Sequence, residues 1–423
     1  MLKIVYPICC GIDVHKKFVV ATISSTNDEN ITSYQTRQFS TFNSDLQQLK
    51  QWLLSNDCKD VCMESTGKYW IPVFNILEDS IHVIIANPKY LKAIRGKKTD
   101  KKDSIWISDL FKHDLVPSSY IPPKPIRMLR DLTRYRSKLV SNRSSEKNRI
   151  QNSLTISNIA LASVVSDTFG KSATAIIEYL TSSEEFSIEH CKSLLQKSLK
   201  KKSDEVINSI LGYELSNEQS SKIKICRQHF DYIDECISTL NENIISLSKP
   251  YLNQINLLTT IPGITEKSAI SIISEIGIDM SVFKDSKHLC SWAGLTPQNN
   301  ESAGKKKSSR TSRAGVYLKP LLVECSLASL KSNANPYFRE KYNRIKKRRG
   351  HKKAIIAISR MMLTCIFHML SNNQEFMPKD INYSDISEEI LQKHQTQIID
   401  SAIILLQKQG FTITKDDVIY ATN

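Results

Sequence analysis

The stretch Ile8-Cys9-Cys10-Gly11-Ile12-Asp13-Val14-His15 decides the fold. Ile8 to Asp13 is a short apolar run that closes on an acid, and Phe18 to Ser24 follows as a β-branched, apolar run; both read as strands. Thr36 to Phe42 supplies the third strand of a meander. Asn43 is expected to cap a helix running through Leu54, with Leu46, Leu49, Trp52 and Leu53 on one side. Asp60 to Met63 reads as a short buried strand, Ile71 to Asp79 as a helix and His82 to Ala86 as another buried strand. Asn87-Pro88 turns the chain before a helix over Asp100 to Phe111. Three strands, helix, strand, helix, strand, helix is the order of an RNase H-like α/β fold, whose short connections force the strands into one sheet.

Pro117, Pro122, Pro123 and Pro125 mark the end of this domain, and Arg127 to Ser248 reads as mostly helical. Cys226, Phe230, Ile233, Ile237, Leu240, Ile244 and Leu247 follow a strict 4-3 spacing, the seam of a coiled coil between protomers or of a core-facing bundle helix. Arg127, Arg130, Arg134, Arg136, Lys138 and Arg143 make the preceding helix basic, which suits a nucleic-acid contact or a solvated face. Ile261-Pro262-Gly263-Ile264-Thr265 leads into a helix over Glu266 to Ile276. An apolar-Pro-Gly-apolar turn of this kind resembles a helix-hairpin-helix element, where N–H groups at a helix start meet a DNA phosphate.

The 423 residues are too many for one ordinary core, and 40% hydrophobic with 24% charged residues is a soluble globular composition. The net charge is +15, and 16 Lys and Arg against Glu324 and Glu340 put +14 of it between Gly304 and Lys353. So dense a stretch suits a phosphate backbone. A membrane surface is disfavoured: the most apolar stretch, Ala354 to Leu370, carries Arg360 and His368 and has helical periodicity. No signal-peptide pattern precedes the first strand, and the ten scattered cysteines read as reduced core thiols of a cytoplasmic protein.

Four acids arrive in register with the fold. Asp13 ends the first strand, Glu64 ends the strand begun at Asp60, and Asp100 and Asp103 share one helix face. In an RNase H-like sheet these positions converge at one edge, where their mutual repulsion invites divalent cations. Mg²⁺, or Mn²⁺, takes carboxylate oxygens and can hold a phosphodiester for attack. Each acid alone equally suits a turn or a cap.

GIDVHKKFVVATI (11–23), ESTGKYWIPV (64–73), NPKYLKAIRGKKTDKKDSIWISDL (87–110), IPGITEKSAISIISEIG (261–277) and SWAGLTPQNNESAGKKKSSRTSRAG (291–315) together resemble the DEDD transposases. These are insertion-sequence enzymes grouped with Piv-like DNA invertases. The resemblance implies a RuvC-like catalytic domain with Asp13, Glu64, Asp100 and Asp103 as its metal-binding acids. It further implies a C-terminal transposase domain whose serine nucleophile falls on Ser302, with Ala303 in place of the usual glycine and Ser308, Ser309 and Ser312 as neighbouring alternatives. It also implies a structured, element-encoded guide RNA. The segment Thr155 to Asn217 is longer than the family's common form, and the tail after Asn372 has no counterpart in it.

The expected organisation is a RuvC-like domain over residues 1–120, a helical, coiled-coil region over 126–250, a mostly helical transposase domain over 251–372 and an accessory helical tail over 373–423, with Ile398, Ile399, Ile403 and Leu406 buried. The expected function is DNA cutting and rejoining through a phosphoserine intermediate, by a homo-oligomer (dimer or tetramer) acting on element ends and target DNA. Arg130, Arg134, Lys305, Lys306, Lys307, Arg310, Arg313, Lys346, Lys347, Arg348 and Arg349 are the expected nucleic-acid contacts. The rival readings are a Holliday-junction-type metal-dependent endonuclease and an inactive nucleic-acid-binding protein.

Overall fold

The computed structural model describes residues 2–65, 67–88, 91, 99–182, 185–297, 300–302, 305–308, 310–332 and 335–377, and beyond these 399, 403, 413–415 and 418–420. The chain forms two compact units, Met1–Pro122 and Pro123–Asn423.

The first unit runs β1 (Ile8–Val14), β2 (Phe18–Thr26), β3 (Thr32–Ser40), α1 (Asn43–Ser55), β4 (Asp60–Glu64), α2 (Trp70–Leu77), β5 (His82–Ala86) and α3 (Asp100–Lys112). The sheet order is β3-β2-β1-β4-β5; the first three strands are antiparallel, and β4 and β5 continue parallel to β1. This topology is compatible with the RNase H-like arrangement. Strand β3 starts earlier than its sequence pattern indicates, because the Asn27 side chain accepts the Glu29 and Ile31 N–H groups and closes a tight turn. Asn43 is the first helical residue of α1 and not its cap; Phe42 holds that position without a side-chain bond.

Successive strand residues face opposite sides of a sheet, and β1 sorts them strictly. Cys10, Ile12 and Val14 enter a core with Leu46, Leu49 and Val73. Cys9 enters a second core with Cys62, Ile107 and Phe111. Helices α1 and α2 therefore cover one face and α3 the other, and odd-numbered β1 residues look toward α3.

In the second unit α4 (Lys124–Ile156) is followed by α5 (Lys171–Thr181), α6 (Ile188–Ser193), α7 (Ser203–Asn208) and α8 (Asn217–Ser248). Helices α4 and α8 are antiparallel: Arg136 bonds Asn241, Arg143 pairs with Asp234 and Glu146 meets His229. The heptad seam faces inward here. Cys226, Phe230, Ile233, Ile237 and Ile244 are buried, with Leu139 of α4 against Ile233 and Ile237. The expectation of a seam between protomers is thus corrected, since 4-3 spacing demands a partner helix and α4 of the same chain supplies it. The long segment between α4 and α8 forms a core of its own, in which Ile176, Leu180 and Val206 pack with Ile150 and Ile223.

The chain continues as α9 (Leu252–Thr259), α10 (Glu266–Ile276), α11 (Ser286–Trp292), β6 (Asn300–Ser302), β7 (Lys305–Ser308), α12 (Leu318–Ser329), α13 (Tyr337–Arg349) and α14 (His351–Asn372). Residues on both sides of the boundary expected at 250 share this unit, because α10 packs on α4 through Thr133–Ser274 and Arg134–Glu275. Helix α14 is long and apolar enough to span a membrane, yet its stripe Ala354, Ile358, Met362 and Ile366 is buried. Helices α11, α12 and α13 pack on α14. In the tail, β8 (Ile413–Lys415) and β9 (Val418–Tyr420) pair as a hairpin where helix was expected. Their β-branched and aromatic residues favour strands. Ile399 is 51% exposed, against its expected burial; Ile398 and Leu406 lie outside the described residues. All ten cysteines are free thiols, eight of them buried.

Candidate active site

Asp13 lies on the α3-facing side of β1, and Glu64 shares that side, because Cys62 two residues earlier belongs to the α3 core and Met63 to the opposite one. Strands β1 and β4 are neighbours, with Ile12 beside Met63, so the two acids end adjacent strands. Helix α3 brings Asp100 and Asp103 in its first turn, started by the Thr99 hydroxyl, which accepts the Lys102 N–H.

Gly11 sets how closely α3 crosses β1. A Cβ there would lie 2.3 Å from the Ser104 carbonyl oxygen and 2.4 Å from the Ser108 nitrogen, both backbone atoms. The Ser104 hydroxyl meets that of Thr22 at 2.7 Å and fastens the same turn of α3 to β2. The helix start is thereby lowered onto the C-terminal end of β1.

His15 completes the cluster. Its Nε2 is 3.0 Å from Asp13 Oδ2 and 3.4 Å from Asp100 Oδ1. One ligand atom from each of Asp13, His15 and Asp100 falls within 4.8 Å of the other two. Burial is the largest cause raising the Asp13 pKa; His15 opposes it, and Asp100 and Asp103 add repulsion. A buried carboxylate pushed up by burial and by like charges is a group that a divalent cation would relieve, so these residues fit one. The hairpin between β1 and β2 holds His15 through its N–H to the Phe18 carbonyl at 3.0 Å. Sequence reasoning missed this residue, although its signal was present: Asp13 and His15 are two apart at a strand end and share a face.

Ser302 lies in a hairpin, in register with Lys305, and Glu301 pairs with Lys306. The side chains of Ser302, Lys305, Lys306, Lys307 and Ser308, and all of Ser309, lie outside the described residues. The root of the hairpin is defined. Pro297 bridges Thr311, and the Lys319 ammonium donates to Thr311 Oγ1 at 2.6 Å and to the Ser312 carbonyl at 3.2 Å. Gly294 and Gly315 interlock beneath it, with φ of +68° and +67°. A Cβ on Gly294 would lie 2.5 Å from the Ala314 oxygen, and one on Gly315 2.2 Å from the Ala293 oxygen. Ser312 is engaged at this root, its hydroxyl accepting the Ala314 N–H.

The expected basic contacts divide. Arg310, Arg313 and Lys346 to Arg349 are exposed, the last four in the final turn of α13. Arg130 and Arg134 make bonds within the unit, to α10. Arg130 donates to the backbone carbonyls of Ser274 and Glu275 at the end of α10. Arg134 forks onto the Glu275 carboxylate at 2.7 and 2.8 Å. Glu275 is buried, and the paired charge is what makes its burial tolerable. At the turn before α10, Gly263 (φ +88°) packs against the α12 backbone, and the Thr265 side chain itself accepts the Ser268 N–H. One of the N–H groups expected to meet a phosphate is therefore already satisfied.

Residues 10–159 match the IS110-type DEDD family, described as a transposase, and residues 255–343 match the IS116/IS110/IS902 family of transposases. The chain belongs to the IS110-type transposase family. It is 31% identical over 137 residues to a pilin gene-inverting protein of Moraxella bovis, 30% of this chain and 40% of that one, and matches a pilin gene-inverting protein of Moraxella lacunata to the same extent. It is 29% identical over 116 residues to the insertion element IS110 uncharacterized 43.6 kDa protein of Streptomyces coelicolor, 27% of this chain and 28% of that one. The chain thus spans less than half the length of these relatives.

Proposed function

We propose that this transposase-family chain recombines DNA by transesterification, with Ser302 as nucleophile and Asp13, Glu64, Asp100 and Asp103 as the acids that hold the reacting strand. The observation carrying the reading is the convergence of Asp13, His15 and Asp100 at the end of β1, with Asp13 buried among like charges. Asp13 and Asp100 would hold the divalent cation, Mg²⁺ or Mn²⁺, with His15 at the same corner and Glu64 at the end of the adjacent strand. Bound there, a cation supplies Lewis acidity and charge neutralisation at a phosphodiester.

In the reaction a bond forms between Ser302 Oγ and phosphorus, and the bond from phosphorus to the 3′ oxygen breaks. The serine proton leaves Oγ, and the 3′ oxygen departs as a hydroxyl. The phosphodiester count is conserved, so rejoining needs no external energy source. The gene-inverting relatives support recombination, and the +14 stretch supports DNA, with a structured guide RNA, as partner. Two or four copies would act together, with contacts other than the seam covered by α4. A hydrolytic nuclease would use the same acids and leave no adduct.

The test is the adduct itself. Wild-type protein, given Mg²⁺ or Mn²⁺, its copurifying RNA and a substrate whose strand exchange is stalled, should carry DNA on the peptide containing residue 302 after denaturation. Ser302→Ala should bind nucleic acid and form no adduct. Strand cleavage by wild type with no adduct would replace this reading by hydrolysis.

A further inference from the structure

Between α4, α10 and the start of α12 lies a cavity of about 330 Å³. We infer that it binds one unstacked nucleotide of a single strand, the phosphate on Arg136 and the base against the Tyr317 side of the cavity. The inference rests on the nucleic-acid reading above, and it assigns a site that the acids and Ser302 do not use.

Two arginines in the lining have opposite situations. Arg134 is neutralised by its fork onto Glu275, and its guanidinium lies 4.8 Å from the centre of the Tyr317 ring, so the pair forms a fixed, flat wall. Among the described residues Arg136 donates to a neutral partner, the Asn241 side-chain oxygen at 2.6 Å. Burial lowers its pKa, and Arg143, a cation already paired with Asp234, lowers it further. Among the described residues no carboxylate pairs with Arg136. A half-buried guanidinium without a counter-charge, with donors to spare, is a receptor for a phosphate oxygen.

The remaining wall is mixed, with Thr133, Ser137 and Ser271 on one side and an apolar part on the other. Val316, 71% exposed, and Leu321 provide the surface that a base face needs. Glu324 is the lining acid outside the Arg134 pair; it is exposed and suited to accept from a base amino group. The volume matches one nucleotide, which suits an unstacked single strand. Val316 and Tyr317 directly follow Gly315, so a strand seated here passes the root of the hairpin that carries Ser302.

The test uses the full-length protein with short single-stranded RNA and DNA carrying 5-iodouracil, cross-linked by light and mapped by peptide mass. Cross-links should fall on Tyr317 or on peptide 133–140, and the more efficient of the two arms identifies the source of the strand. Arg136→Gln and the cavity-filling Val316→Trp should each weaken single-strand binding roughly 5-fold to 10-fold while leaving duplex binding almost unchanged. Cross-links mapping elsewhere overturn the inference. So does a variant of unchanged melting temperature that binds single strands normally or loses duplex binding in equal measure; should one variant melt early, the other decides. Cross-links here with no Ser302 adduct would keep the cavity and remove the transesterification reading. An adduct with no cross-link here would do the reverse.

Discussion

The acid cluster and the hairpin of Ser302 are held by different means. The acids sit at the end of β1 under α3, in a three-layer unit whose cores lock the supporting backbone on both faces. The hairpin is anchored at its root, where Gly294 and Gly315 interlock and Lys319 ties Thr311 to Ser312. A cation site needs groups fixed to within fractions of an ångström. On the proposed reading, Ser302 needs a firm base beneath its hairpin. The two regions should therefore fail differently when broken.

The largest effect is expected at the acids. Asp13→Asn and Asp100→Asn should each lower recombination by at least about 10³-fold, since each removes a charge placed for the transition state. Stability should move the other way for Asp13. Burial and the neighbouring acids raise its pKa, so the fold disfavours its anion; that penalty is present at neutral pH and vanishes as pH falls through the raised pKa. Without divalent cation, Asp13→Asn should raise the melting temperature of the first unit by roughly 2–5 °C. A lower melting temperature would mean that Asp13 is a structural partner of His15 before it is anything else.

Gly11→Ala drives a methyl into the α3 backbone, which no side-chain rotation can relieve, and should cost about 3 kcal/mol. It should displace Asp100 and lower recombination about 10²-fold, with weakened cation binding measured by calorimetry. Gly315→Ala adds a left-handed backbone penalty of about 1–2 kcal/mol to its clash with Ala293. It should also lower recombination about 10²-fold, yet leave cation binding intact and speed amide exchange in residues 305–308. If both variants lost cation binding equally, the two regions would not be independent supports.

Much of this was legible from residues alone, and the omissions have physical causes. Strand-end acids are readable because a two-residue period fixes their face once the strand is known, and Glu64 and Asp13 followed from that. His15 was passed over although the same parity included it. The α8 spacing left a seam between protomers and a bundle helix both open, because spacing tells of a partner helix and not of its chain. The Gly11 approach needed α3 in place, since the atoms it would strike are some ninety residues away in sequence.

Arg130 sets the last and smallest effect. A basic helix face looks identical in sequence whether its partner is a phosphate or a carbonyl contributed by a later helix. Arg130 caps α10 by donating to Ser274 and Glu275, so Arg130→Gln should lower the melting temperature of the second unit by roughly 2–4 °C. Nucleic-acid affinity should keep its dependence on salt. Lys346 to Arg349, exposed in the last turn of α13, should behave oppositely when all four become Gln. The helix loses only a modest dipole interaction. If the cluster touches two or more phosphates, the slope of log affinity against log salt should flatten by about 2 or more. A flattened slope for Arg130→Gln, or an unchanged one for the cluster, would exchange the two assignments and return the basic face of α4 to the nucleic acid.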